Sequence, residues 1–183
     1  MSEAWNIRFG TAGTSDSFAA QGYKSSLDVP EYTAKMGLNA FEYQCGRGVR
    51  LGLDKAARMA ALAAERDILF SVHAPYYISM SSLEEEKRLN SIQYLLQSAA
   101  VCKALGGRRI IFHSGSCGKQ SREAALEKAL DTIYALEGEN KGYQKNRSGE
   151  NTVRKYIKGG LDLDRTTFIS FLIFFGNATP LPD

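Results

Sequence analysis

Short apolar runs alternate with longer amphipathic stretches from the start of the chain to about residue 143. The first run, Asn6 to Gly10, reads as a strand and leads into the loop Thr11-Ala12-Gly13-Thr14. A short helix is expected near Asp28 to Met36, with Pro30 suited to a first turn and Gly37 to the position just past the end. A second strand is predicted near Asn39 to Gln44, closed by Cys45-Gly46-Arg47-Gly48. An alanine-rich helix should follow from about Asp54 to Arg66, with an aspartate at its start. The third strand runs from Ile68 to His73. Ser81 and Ser82 each stand three residues before a glutamate, Glu84 and Glu85, which is capping-box spacing written twice. The helix they open carries Leu89, Ile92, Leu96 and Ala99 at 3.6-residue spacing, and Gly106-Gly107 stops it. A fourth strand, Arg109 to His113, precedes a helix from about Ser121 to Leu136 whose apolar stripe is Leu126, Ala129, Leu130 and Ile133.

Alternation of this kind implies an α/β fold with a parallel sheet and helices outside it. A complete barrel of eight strand-helix units takes roughly 250 residues, so residues 1–143 read as the first four units, the N-terminal half of an α/β barrel. Residues 144–183 form an atypical tail. Lys145-Asn146-Arg147-Ser148-Gly149 stands where a fifth apolar strand is due, and buried parallel strands are near-continuous in Val, Ile and Leu. The run Phe168 to Phe175 could pair with the open sheet edge, or could be an aggregation-prone segment. The expectation is a truncated or frame-disrupted version of a longer chain, able to self-associate through its open sheet edge.

Composition changes this picture little. The chain has 183 residues, 44% of them hydrophobic and 23% charged, as in ordinary globular proteins. A net charge of +3 permits a nucleic-acid partner without arguing for one. The three cysteines, Cys45, Cys102 and Cys117, lack the spacing of a zinc knuckle or a redox pair, and are expected to be reduced thiols. Cys117 reads as a small loop residue, with a metal role as the alternative. No signal peptide is visible at the N-terminus, and the longest apolar run has eight residues where a membrane helix needs about 20. A cytoplasmic protein with no membrane partner is expected.

The candidate chemistry lies in the two histidines. His73 and His113 each end an apolar run and precede a turn, 40 residues apart. Side chains at the C-terminal ends of neighbouring parallel strands point into one mouth, where α/β barrels keep their chemistry. Neutral imidazole suits zinc, manganese or iron. A catalytic zinc takes three protein ligands and water, so carboxylates are required from elsewhere.

The stretches Val72-His73-Ala74-Pro75-Tyr76-Tyr77-Ile78 and Phe112-His113-Ser114-Gly115-Ser116 resemble the endonuclease IV family of abasic-site endonucleases. Phe9-Gly10-Thr11-Ala12-Gly13 and Phe41-Glu42-Tyr43-Gln44-Cys45-Gly46-Arg47-Gly48 agree with it. The resemblance implies a xylose isomerase-like TIM barrel, present here in its N-terminal half. It implies a zinc-dependent enzyme that cuts DNA on the 5′ side of an abasic site, with up to three zinc ions in the family and fewer expected here. His73 and His113 match metal ligands of that family. Glu150, in Glu150-Asn151-Thr152, matches a third, or else is a solvated loop acid. Tyr76 and Tyr77 match residues inserted into DNA, or are aromatics packed under a loop. Arg47 would contact phosphate, or is an ordinary exposed arginine.

Two departures stand out: no histidine follows His113, and Ser114 replaces a proline. Three readings follow: a DNA-repair endonuclease, a metal-dependent sugar isomerase or epimerase of the same barrel superfamily, and a non-catalytic partial barrel.

Overall fold

The computed structural model describes residues 7–139 and 170–174. Strand β1 (Gly10–Ala12) is followed by helix α1 (Asp16–Ala20), a 3-10 turn at Ser26–Asp28 and helix α2 (Val29–Lys35). Then come β2 (Ala40–Gln44), α3 (Leu53–Ala64), β3 (Leu69–His73), α4 (Glu85–Ala104), β4 (Arg109–His113) and α5 (Arg122–Glu139). A last strand, β5, covers Ser170–Phe174. The sheet order is β1-β2-β3-β4-β5, and the first three pairings are parallel. The four expected strand-helix units are therefore present, as a partial barrel. β5 lies beside β4, where the sequence left an edge open.

The helix ends follow from local chemistry. Gly37 adopts φ +72° after α2. There its N–H donates to Ala34 O at 2.9 Å, and Leu38 N donates to Thr33 O at 3.1 Å. Gly106 and Gly107 close α4 in the same way, through Lys103 O and Cys102 O at 3.0 and 2.9 Å. Both are Schellman ends, which need a residue free to take positive φ.

Some expectations shift. The first strand begins at Gly10 rather than ending there, and α1 was not foreseen. The helix α3 is preceded by Gly52 as its N-cap, with Asp54 in the first turn. The double capping box does not form. Ser82 Oγ accepts from Glu84 N at 3.1 Å, while the buried Ser81 hydroxyl donates to Ser116 O at 2.9 Å. In α4, Leu89 is 55% exposed, and the buried positions are Ser91, Ile92, Leu95, Ser98, Val101 and Cys102.

The chain divides into two compact units. The first comprises 7–77, 94–112 and 172–174, the second 78–93, 113–139 and 170–171. In the first unit, β2, β3 and β4 alternate. Phe41, Phe70, Val72, Ile110 and Phe112 are buried, and Glu42, Ser71, His73 and Ile111 are half-buried. The buried set is the helix-covered side, where Phe41 meets Phe70 edge-on at 6.0 Å. The buried residues of α3 are Ala56, Met59 and Ala63. Each large apolar side chain buried there contributes roughly 1.5–3 kcal/mol. The other side of the sheet is the more polar one, and it is the side that carries His73.

In the second unit, Thr132 of α5 donates to Met80 O at 2.9 Å, and α5 buries Ala125, Ala129, Thr132 and Ile133.

Candidate functional site

His73 is the last residue of β3 and pairs in register with Gln44 of β2 and Ile111 of β4. Its carbonyl accepts from Cys45 N at 2.9 Å, which carries the β2–β3 ladder past the strand end. Its ring Nδ1 lies 3.1 Å from Ala74 O. A proton on Nδ1 would let the ring donate to that carbonyl, the kind of contact that orients a metal-binding imidazole. Pro75 helps to fix the acceptor. A residue before proline is held extended, and Pro75 itself is fully buried.

The turn after β3 is tied to the turn after β2. Tyr76 N donates to Gly46 O at 3.0 Å, and Gly46 takes φ +60°, where a side chain would be strained. This bond brings the Arg47 turn beside Tyr76. Tyr76 and Tyr77 are 60% and 57% exposed, so neither is packed away under a loop. The Tyr76 ring is 6.3 Å from the His73 ring, and Tyr77 is 6.4 Å from Tyr94. Arg47 is exposed, as is Arg50, which the sequence reading did not single out. Exposed aromatics next to flexible cations can stack on bases and neutralise phosphates.

His113 ends β4. Along that strand it lies two residues beyond Ile111, so pleating gives it the parity of Ile111, the register partner of His73. The turn after it is firmly built. Met80 N donates to Ser114 O at 2.7 Å, and Gln120 Nε2 donates to Ser81 O at 2.8 Å. Gly115 takes φ +111°, and a Cβ there would stand 3.0 Å from Ser81 Oγ. Ser114, in place of the family's proline, is buried within this turn.

Zinc fits the described residues in kind. Imidazole is an ordinary zinc donor, and His73 ends β3 while His113 ends β4. They do not complete a ligand set. Among the described residues no group of three or more His, Cys, Asp or Glu side chains is placed to hold a metal. Glu150 lies outside the described residues. Cys117 is half-buried in the turn after His113 and belongs to no such group. Glu42 lies on the same side of the sheet as His73 and was not singled out from the sequence. Its signal was an acid in the middle of an otherwise apolar strand. No helix among the described residues is long and apolar enough to cross a membrane.

An uncharacterised protein of Methanocaldococcus jannaschii is 34% identical over 135 residues, 70% of this chain and 46% of that protein. A Mycoplasma pneumoniae protein named probable endonuclease 4 is 36% identical over 67 residues, 35% of this chain and 23% of its own length. Among solved structures, a D-tagatose 3-epimerase-like protein superposes with a TM-score of 0.57 at 17% identity, covering 75% of this chain and 50% of that one. Endonuclease IV from Thermus thermophilus superposes with a TM-score of 0.50 at 21% identity, covering 71% and 47%. At these identities the structural likeness is one of fold. The chain spans half or less of the length of each of these proteins. Residues 30–142, more than half of the chain, match one family along their whole extent: the chain belongs to the xylose isomerase-like TIM barrel family.

Proposed function

We propose that this chain is the N-terminal half-barrel of a zinc-dependent endonuclease of the endonuclease IV type, which cuts DNA on the 5′ side of abasic sites. One observation carries the reading. His73 and His113 end adjacent parallel strands at the same parity, and exposed Tyr76 and Tyr77 follow the first of them. Relatives named probable endonuclease 4 support it. In this reading His73 and His113 are metal ligands, and Glu150 supplies a third from the tail, residues 144–183. Zinc would act as a Lewis acid toward the scissile phosphate. Tyr76 and Tyr77 fill the gap left by a lost base, where unstacking costs least. Arg47 neutralises a phosphate beside them.

The test is incision of a duplex with one abasic site by the zinc-supplemented protein, beside wild-type-length controls of His73→Ala and Tyr76→Ala. Expected are a 5′-side cut, its loss in His73→Ala, and weakened duplex binding in Tyr76→Ala of about 1–3 kcal/mol. A protein that binds abasic and intact duplex equally, with no incision, overturns the reading. Turnover of a ketose panel by the same preparation would favour the epimerase alternative.

A further inference from the structure

We propose that Glu42 supplies a carboxylate to a divalent cation held at His73, an inference that rests on His73 being a metal ligand. Glu42 lies in the middle of β2, with Ala12 of β1 and Ser71 of β3 as its register partners. Two residues on, Gln44 pairs with His73. Glu42 and His73 therefore share one side of the sheet, one strand apart and one pleat repeat apart. With strands about 4.8 Å apart and about 3.3 Å of rise per residue, their Cα atoms are roughly 8 Å from each other. A glutamate and a histidine, both projecting from the same side, can close that span on one ion.

The surroundings of Glu42 point to a ligand. The residue is half-buried. Among the described residues its carboxylate makes no hydrogen bond and no ion pair, and only its backbone carbonyl is engaged, by Gly13 N at 2.9 Å. The flanking Ala12 and Ser71 carry no positive charge and are too short to cover it. A carboxylate without a partner beside an imidazole is open to a cation. Oxygen and nitrogen donors of this kind suit zinc or manganese, and a carboxylate would repel a bare phosphate. Glu42 and His73 would be two of the three protein ligands that a catalytic zinc takes beside water.

The test is calorimetric titration of zinc chloride into the full chain, as wild type, Glu42→Gln, Glu42→Asp and His73→Ala, with thermal unfolding of each metal-free protein. Glu42→Gln should weaken zinc binding about tenfold or more, Glu42→Asp by less, and metal-free Glu42→Gln should melt no lower than wild type. If Glu42→Gln binds zinc like wild type while His73→Ala does not, the role of Glu42 is overturned and that of His73 stands. If neither substitution alters binding, or wild type binds no zinc, both fall. A metal-free Glu42→Gln that melts lower assigns Glu42 to the fold instead and overturns the inference.

Discussion

Burial pushes the Cys45 thiol up to about 11, against the smaller opposing effect of the Ser98 hydroxyl, and pushes Cys102 up as well. A thiol held neutral is inert, because the thiolate is the nucleophile. Iodoacetamide at pH 8 should therefore modify the half-buried Cys117 and spare Cys45 and Cys102, as peptide mapping would show. The same shift couples to stability. Cys45 is protonated more tightly in the fold than in the unfolded chain, where its pKa is about 8.5. Its contribution is complete below that value and is lost as pH rises toward 11. The stability difference between wild type and Cys45→Ala, read from urea midpoints, should shrink across that window; a constant difference would refute the coupling. At this scale the sequence was legible where residues are plainly apolar or end a strand, as at Phe70 and His73. It misled at Ser91 and Ser98. Each serine hides its hydroxyl on a carbonyl four residues back, Lys87 O and Tyr94 O, both at 2.7 Å. A serine bonded in that way packs as a small apolar residue, so Ser91 and Ser98 were passed over and the exposed Leu89 was taken, while Ile92 is buried as expected.

Close approach between elements explains what the hydrophobic pattern could not show. β1 was expected at the apolar residues Ile7 and Phe9, yet these are 62% and 67% exposed. The paired residues are the small ones, Gly10 to Ala12. A Cβ on Gly10 would stand 1.9 Å from Ala40 O, so only glycine lets β1 reach β2 there. Such contacts are long-range and leave no periodicity in the sequence. The junction of α4 with β3 has the same character. A Cβ on Gly107 would meet Phe70 O at 2.8 Å and Cys102 Sγ at 3.0 Å, whereas one on Gly106 meets nothing within 4 Å and suffers only its φ of +70°. Gly107→Ala should cost about 1–3 kcal/mol through overpacking, and more than Gly106→Ala. Urea unfolding of the two variants decides it, and equal losses would remove the steric account. The short α1 carries too few residues to show a period, so it could not be foreseen.

For the molecule as a whole, alternation gave the class and the four units, because a buried parallel sheet with outer helices leaves a periodic trace. Of the candidate site, the places of His73 and His113 at strand ends were legible. Histidines at strand ends announce themselves, but Glu42 becomes interesting only once register places it beside the β3 strand. The tail is the part least open to reading: Lys145–Gly149 and Glu150 lie outside the described residues, and among the described residues β5 connects its sequence to the sheet. β5 beside β4 should protect an edge that would otherwise pair with other chains. Proline is a poor strand residue, so Leu172→Pro should loosen β5 and raise the oligomer fraction in size-exclusion chromatography with light scattering; an unchanged monomer fraction would count against that protection. The placement of β5 also sets a schedule. β4 is finished at residue 113, and its neighbour does not begin until residue 170. At translation speeds of roughly 5–20 residues per second, a ribosome needs several seconds to bridge that interval. Throughout it the nascent chain holds a naked row of amides and carbonyls, and whatever shields them in the meantime must come from outside the strand that will finally do so.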